Sequence, residues 1–232
     1  SSDLETTEVV PQTPFTMEMT SVEVANSRAV SLDIDNTYID RVFADSIKLS
    51  DSAILDFVRA LCDESLSEVC SSTPRIFSLQ KIVEVAYYNM NRIRLVWSEM
   101  WIILQQHFIR CGCHEKSAVS MYAIDSLRQL AMKYLEKDEL ANYNFQKSFL
   151  KPFEVVFATT PSDVVKEFII QCFLPLVTAR TKRICSGWKT IFTVLTLAAA
   201  DGNTRACTQS AFQLAANISR SCFDIVSANF FR

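Results

Sequence analysis

The sequence predicts an all-α fold, an α-solenoid of HEAT- or armadillo-like antiparallel helix pairs. Of the 232 residues, 49% are hydrophobic and 21% charged, which allows a substantial core. Only three glycines are present, where average usage would give about 16, and this excludes folds rich in tight β-hairpins. From Asn36 onward, apolar residues recur with helical spacing, and helix starts recur at intervals of roughly 41 to 45 residues, close to the period of HEAT and armadillo repeats.

The first 40 residues differ in composition from the rest of the chain. They contain eight acidic residues and one basic residue, a local charge of −7, so the remainder carries +4 within the overall −3. Together with Pro11 and Pro14, this composition predicts a flexible or extended acidic linker over residues 1–35, followed by a folded domain over residues 36–232. The alternation from Val22 to Ile34 is compatible with an extended strip along that domain. Because the chain begins at Ser1 rather than Met, we expect a fragment.

The helices of the predicted domain follow from the apolar spacing and from its interruptions. A shortened first unit is predicted over Thr37–Lys48 and Asp51–Glu68. Later helices begin near Thr73 to Arg75, Ser117, Ser162 and Asn203, each separated from the next by an antiparallel helix. One helix pair cannot cover its own apolar face, so we expect about four and a half units to stack. An irregular helical bundle is the alternative.

Two prolines and one tryptophan give specific structural expectations. Pro152 follows a helix that is predicted to end near Leu150, so it should start the next helix. Pro175 lies inside an apolar helical run, so a bend is expected there, with the Gln171 carbonyl left without its usual donor. Trp188 should be buried between adjacent helix pairs, with its indole N–H bonded to a carbonyl.

No pattern for catalysis, metal binding or cofactor binding stands out. The three glycines cannot form a phosphate-binding loop or a nucleophile elbow. The Cys111-Gly112-Cys113-His114 run lacks the second ligand pair of a zinc site, and we interpret Gly112 as a left-handed helix cap. His107 has no neighbouring nucleophile. The predicted sets of catalytic, metal and cofactor residues are therefore empty.

The location is predicted from cysteine usage and hydropathy. Eight cysteines are scattered through a chain that is long enough to fold without disulfides, which favours a reduced, cytoplasmic protein. The longest uncharged run that could suggest a membrane span, Phe168 to Ala179, is shorter than the ~20 residues that such a span requires. The acidic N-terminal segment does not have the composition of a secretory signal.

Two polar groups are candidates for binding. A basic group brackets a helix junction, where it either neutralises the helix end or contacts an anionic membrane or acidic partner: Arg180, Lys182, Arg183 and Lys189. A second group interrupts an aromatic segment, where it either bonds the exposed carbonyls of a turn or forms a recognition edge: Asn89, Asn91, Arg92 and Arg94. Nucleic acid is not expected as a partner, because the chain is acidic overall and aromatics are not interleaved with the basic residues.

Several long blocks resemble a known family. The segments Phe77–Trp97, Asp125–Glu154 and Ser186–Phe192 are similar to the first homology-downstream-of-Sec-seven domain of the large brefeldin A-inhibited Arf guanine-nucleotide exchange factors. Ala53–Cys62 is similar to the opening of the same domain. The resemblance covers about residues 41 to 200, and the acidic leader and the tail from Asn203 diverge from it.

The resemblance implies a regulatory domain rather than an enzyme. In that family the exchange reaction belongs to a separate upstream domain, whose glutamate-bearing motif is absent from this sequence. The domain is implied to help recruit the exchange factor to the trans-Golgi network, as a peripheral membrane protein that responds to an activated Arf-family GTPase. A structural spacer that docks on other domains of the same polypeptide, or on a second copy as a homodimer, is the alternative. We place the GTPase contact at Asn89, Asn91, Arg92 and Arg94, and the membrane contact at the basic group.

Overall fold

The computed structural model describes residues 20–26, 36–139, 144–200 and 202–230. The chain divides into two units, Ser1–Arg41 and Val42–Arg232. The described residues contain no β-strand, which confirms the predicted all-α fold. The α-helices are α1 (Asn36–Ala44), α2 (Asp51–Val69), α3 (Phe77–Asn89), α4 (Arg94–Gly112), α5 (Ser117–Tyr134), α6 (Phe145–Thr159), α7 (Asp163–Arg180), α8 (Gly187–Ala199) and α9 (Arg205–Phe230). Short 3₁₀ helices at Asp45–Lys48 and Thr181–Arg183 precede α2 and α8.

In the second unit the helices stack in two layers. Helices α2, α4, α6 and α8 pack on one another in sequence to form the first layer, and α3, α5, α7 and α9 form the second. Each helix of the first layer also packs on the helix that follows it in the chain. This arrangement of stacked antiparallel pairs is the predicted solenoid, and its core is the apolar surface between the layers and between successive pairs.

Side-chain caps fix several helix ends. The Ser50 hydroxyl accepts a hydrogen bond from the backbone N–H of Ala53 at the start of α2, at 3.3 Å. Ser162 caps α7 in the same way through Val165. At the end of α8, the Asn203 side-chain amide donates to the Leu197 carbonyl at 2.8 Å. Each bond satisfies a backbone group that the helix itself leaves without a partner.

A short helical segment lies within the predicted linker. Residues 21–26 are helical, and Thr20 and Glu23 form a reciprocal capping box at the start of this segment. The expectation of an extended strip is therefore wrong for residues 22–26, because the Thr-x-x-Glu cap favours a helical turn. Residues 1–19 and 27–35 lie outside the described part of the chain, so the linker stays a prediction.

Gly112 does not act as a left-handed cap, and that expectation is wrong. The residue lies in the last turn of α4, and Gly202, with φ of 95°, is the glycine of positive φ among the described residues. A Cβ on Gly112 would lie 2.7 Å from Cγ2 of Val156. The missing side chain therefore allows α4 and α6 to approach closely.

Pro152 lies inside α6 and does not start a helix, which corrects the expectation for this residue. The helix begins at Phe145 and continues through the proline, because a neighbouring helix satisfies the backbone. Proline has no N–H to donate to the Ser148 carbonyl, and this carbonyl instead accepts the indole N–H of Trp101 from α4, at 3.3 Å. The Trp101 indole also stacks on Phe149, with ring centroids 3.9 Å apart.

Pro175 and Trp188 were the other two residues with specific expectations. Pro175 lies inside α7, which runs from Asp163 to Arg180, and the expected bend stays a prediction. Trp188 is 1% exposed, which confirms that it belongs to the core. The expected hydrogen bond of its indole is wrong, since Nε1 has no partner among the described residues.

Candidate functional site

The predicted binding residues lie in or near a row of turns along one edge of the solenoid. The row begins with residues 45–50, between α1 and α2, and continues with three turns that connect the second layer back to the first, at residues 89–93, 132–139 and 180–186. We call this row the turn edge. Side chains of each turn bond to the preceding turn, so the row is tied together from one repeat to the next.

Both terminal nitrogens of the Arg92 guanidinium bond to residues of the first turn or of the start of α2. Its side chain is 13% exposed and pairs with Asp51 at 3.1 Å. It also donates to the carbonyls of Ser46 and Ile47, both at 3.1 Å, and of Leu49 at 2.7 Å. A guanidinium suits this task because its five N–H donors form a planar fork. The Ser46 carbonyl also accepts the Leu49 backbone N–H at 3.1 Å, so Arg92 adds a second donor there and supplies the donor for the Leu49 carbonyl.

Asn89 holds Arg92 in place. The Asn89 side chain is buried, and its oxygen accepts from Nε of Arg92 at 2.7 Å. Its amide nitrogen donates to the Ser46 hydroxyl at 2.8 Å and to the Val85 carbonyl at 2.9 Å. Of the two alternatives for this group, bonding of turn carbonyls therefore describes Asn89 and Arg92. Asn91 and Arg94 are exposed.

A cavity of about 220 Å³ lies between the second and third turns. Asn91, Arg94, Trp97 and Lys137 are among the residues that line it. The Lys137 ammonium donates to the Met90 carbonyl of the preceding turn. Burial lowers the pKa of Lys137, and the positive charge of Arg94 lowers it further. Among the lining residues, three basic side chains lie beside two acidic ones.

In the basic group, the two arginines make ion pairs and the two lysines are exposed. Arg180 donates to the Met132 carbonyl at 3.2 Å and to the Glu136 carboxylate at 2.9 Å. Arg183 pairs with an exposed carboxylate, that of Asp138. Lys182 and Lys189 are exposed and form no ion pair with any residue in the described ranges.

A groove of about 550 Å³ runs beside these residues. Arg180, Lys182 and Arg183 line it together with Ser221 of α9 and Glu136 of the third turn. The pKa of Glu136 is lowered, first by its hydrogen bond from Lys133 and also by the charges of Lys133 and Arg180. The groove therefore presents more positive than negative side chains.

A hydrogen-bond network around the half-buried Glu139 joins the third and fourth turns, and sequence reasoning missed it. The Glu139 carboxylate accepts from the Ser186 backbone N–H at 2.8 Å, the Ser186 hydroxyl at 2.6 Å and the Gln146 N–H at 2.8 Å. Gln146 in turn donates to the Arg183 carbonyl and accepts from the Cys185 N–H, both at 2.8 Å. Glu139, Gln146 and Ser186 lie inside the blocks that carry the family resemblance, but nothing in their local pattern distinguishes them.

The Cys111–His114 run is structural. The Lys116 N–H donates to Nδ1 of His114, so Nε2 carries the proton and donates to the Val69 carbonyl at 3.1 Å. His107 Nε2 lies 3.4 Å from Cys111 Sγ, so the expectation that His107 has no neighbouring nucleophile is wrong. Burial raises the pKa of the Cys111 thiol to about 12 and lowers the pKa of His107 to about 4. Within the described ranges, no cluster of three or more potential metal ligands occurs.

None of the helices in the described part of the chain combines the length and the apolarity needed to span a bilayer.

Comparison with known proteins gives a consistent result. Residues 133–217 match the family Sec7-like HDS, described as Mon2/Sec7/BIG1-like, HDS. The chain is 46% identical over 187 residues to brefeldin A-inhibited guanine nucleotide-exchange protein 1 of Rattus norvegicus and to that of Homo sapiens. It is 50% identical over 169 residues to brefeldin A-inhibited guanine nucleotide-exchange protein 1 of Arabidopsis thaliana. These alignments cover 80%, 80% and 72% of this chain and 10% of each relative.

The fold and the match together define a helical-repeat domain of the Sec7-like HDS class. The matched region contains the third and fourth turns, the Glu139 network and the basic group. The chain belongs to the family of brefeldin A-inhibited guanine nucleotide-exchange proteins. It spans about a tenth of the length of the curated relatives it matches.

Proposed function

We propose that this chain is a non-catalytic regulatory domain of an Arf guanine-nucleotide exchange factor. It helps recruit the exchange factor to trans-Golgi membranes from the cytoplasm by responding to an activated Arf-family GTPase. The observation that carries the proposal is the match to the HDS region, together with relatives whose names state nucleotide exchange. The chain alone is expected to give no nucleotide exchange on Arf, which a fluorescent GDP-release assay measures.

We place the GTPase contact on the exposed part of the second turn. Asn91 and Arg94 project from it, next to the cavity that Lys137 lines. Asn89 and Arg92 belong to the same site as positioning residues, because they fix the backbone from which the exposed pair extends. Acidic side chains of a GTPase are the chemistry that the exposed Arg94 guanidinium would recognise.

We place the membrane contact at the basic group. Lys182 and Lys189 are its exposed members that form no ion pair within the described part of the chain, and each well-placed basic residue contributes about 1 kcal/mol at an anionic surface. This gives only marginal binding, so useful recruitment needs a second, simultaneous contact. The activated GTPase supplies that contact. Other domains of the same polypeptide, and a second copy in a homodimer, are further proposed partners.

Liposome flotation with lipidated Arf tests the proposal. Wild-type chain should float weakly with anionic vesicles, more strongly when GTP-loaded Arf is present, and no more than weakly with GDP-loaded Arf. Arg94→Glu should abolish the GTP-dependent gain, whereas Arg59→Glu on the exposed surface of α2 should leave it unchanged. Arg92 is unsuitable for this test because its replacement would disturb the fold.

A double variant tests the membrane contact independently of the GTPase contact. The double change Lys182→Glu and Lys189→Glu should lower flotation with anionic vesicles without Arf, and should leave the fold unchanged because both lysines are exposed. If GTP-loaded Arf gives no gain with the wild-type chain, the recruitment proposal is wrong and the structural spacer becomes the better account.

A further inference from the structure

The wall of the cavity between the second and third turns contains a hydrogen-bond donor without an acceptor. Trp97 lines this cavity and is 3% exposed. Its indole Nε1 is buried and has no hydrogen-bond partner within the described part of the chain. An indole N–H is a donor only, so it pairs with an acceptor atom. A ligand in the cavity that carries such an atom would offset the free-energy cost of a buried donor left unpaired.

The ammonium of Lys137 belongs to the same cavity and has no carboxylate partner among the residues that the structure describes. It donates to the Met90 carbonyl, which is neutral. Burial lowers the pKa of Lys137, and the positive charges of Arg94 and Lys133 lower it further. An anion in the cavity would counteract these effects, because a nearby negative charge stabilises the protonated amine.

The cavity also borders the N-terminus of α4. Arg94 and Trp97 line it, and both belong to the first turn of this 19-residue helix. That turn contains no acidic side chain, and no described side chain caps it with a hydrogen bond. Its backbone N–H groups and the helix dipole favour a negative group nearby. Together with the indole donor and the ammonium, this helix start makes the cavity favourable for an anion.

The two acidic side chains of the lining are bound to the fourth turn. The Glu139 carboxylate accepts from the backbone N–H and the hydroxyl of Ser186, and Asp138 pairs with Arg183. The lining contains three basic side chains against these two acidic ones, which leaves one positive charge. A single negative charge balances the cavity, so a carboxylate suits it better than a phosphate dianion does.

We propose that this cavity is a carboxylate-binding site that takes one acidic side chain of the GTPase partner. The inference rests on the recruitment proposed above and identifies where the charge of the partner enters. Trp97, Lys137 and Arg94 supply the N–H donors. The volume of about 220 Å³ far exceeds the roughly 10 to 15 Å³ that one water molecule needs, so a carboxylate and several water molecules fit. Asn91 and Arg94 are exposed, so the cavity can be reached from the surface.

Titration with acetate, followed by NMR of the indole N–H groups, tests the cavity itself. The chain has three tryptophans and so three indole signals. Acetate, compared with chloride at equal ionic strength, should shift the Trp97 signal saturably. The signals of Trp101, which is bonded to Ser148, and of Trp188, which does not line this cavity, should stay unchanged. Equal shifts of all three signals, or no saturable shift of Trp97, would overturn the proposal.

Two variants that each remove one exposed charge locate the binding. Arg94→Gln should weaken acetate binding at least about fivefold, because a charge-assisted hydrogen bond is lost. Arg59→Gln on the exposed surface of α2 is the matched control and should leave acetate binding unchanged. An equal loss in both variants would indicate a general effect of charge and overturn the site. Tighter binding of inorganic phosphate than of acetate would overturn the choice of a carboxylate.

Competition with GTP-loaded Arf tests the occupant. Arf should shift the Trp97 signal in the same direction as acetate does. Saturating acetate should weaken Arf binding at least about fivefold relative to chloride, because both ligands need the same donors. Arf binding that acetate does not weaken would overturn this inference and leave recruitment standing. No binding of Arf would overturn recruitment and the occupant together, and the acetate titration, which contains no Arf, distinguishes the two failures.

Discussion

The second and fourth turns of the turn edge both carry basic residues, but they use them differently. In the second turn Arg92 is largely buried and binds three backbone carbonyls. In the fourth turn Arg183 is paired with an exposed carboxylate, and Lys182 has no ion-pair partner in the described ranges. There the acceptor Glu139 joins the two turns together with Arg180, which donates to the Met132 carbonyl.

The difference teaches which basic residues are available to a partner. A largely buried guanidinium that bonds to the backbone of the preceding turn is part of the fold, and its removal takes donors away from that turn. An exposed lysine contributes little to stability and is available to an anionic surface. The predictions below measure this difference, from the largest expected effect to the smallest.

Trp188 should contribute more stability to the region of the fourth turn than any of its basic residues. The residue lies between the exposed Lys182 and Lys189 in sequence but is fully buried. Trp188→Ala should lower the free energy of unfolding by about 3 to 5 kcal/mol through lost burial and a cavity. Urea unfolding measures this, with Lys189→Ala as the control that should change little. Unchanged stability of Trp188→Ala would reopen this position as a binding surface.

Arg92→Ala should be strongly destabilising, by about 2 to 4 kcal/mol, because the Leu49 carbonyl and the side-chain oxygen of the buried Asn89 lose their donor. Arg92→Lys should recover only part of this loss, since an ammonium cannot reproduce the planar fork. Arg94→Ala, two residues along the chain, is the matched control and should stay within about 0.5 kcal/mol. Equal effects of the two alanine changes would mean that Arg92 contributes no more to stability than the exposed Arg94.

Glu139→Ala should cost about 1 to 3 kcal/mol, because the N–H groups of Gln146 and Ser186 lose their acceptor. The neighbouring acidic residue Glu136 is exposed, so Glu136→Ala should change stability by less than about 1 kcal/mol. Thermal unfolding of both variants under identical conditions provides the comparison. A larger effect at Glu136 would show that the surface pairs, rather than the buried network, join the two turns.

Arg183→Ala should have the smallest effect, within about 0.5 kcal/mol, because its ion pair with Asp138 is solvent-exposed. What effect there is should shrink further in high salt, which screens exposed charges. Chemical unfolding at low and high salt measures both values. A loss as large as that of Arg92→Ala would mean that the fourth turn uses its arginine as the second turn does.

The fold followed from patterns that a sequence displays directly. Helical spacing, the scarcity of glycine and the repeat interval predicted stacked helix pairs. Pro152 was placed wrongly because the donor that makes a proline tolerable inside α6 comes from Trp101, far away in the sequence. The role of Gly112 was missed for the same reason, since its neighbour Val156 belongs to another helix.

The polar groups were located from the sequence, but the role of each residue depended on the fold. Asn89 and Arg92 interrupt an apolar segment, which made them visible. Whether they bind carbonyls or a partner depended on the first turn, some 40 residues earlier. Glu139 gave no signal at all, because an acidic residue in a polar turn looks the same whether it accepts buried amides or faces water.

The bond between the Trp101 indole and the Ser148 carbonyl also governs how α4 and α6 can move against each other. A slide of one helical turn, about 5.4 Å, would bring the indole opposite a carbonyl that already has its own amide donor. The Ser148 carbonyl would then be left without any donor, because Pro152 cannot supply one. The contact between α4 and α6 therefore resists sliding along the helix axes. Strain on the solenoid should instead bend it at the contacts between other helices.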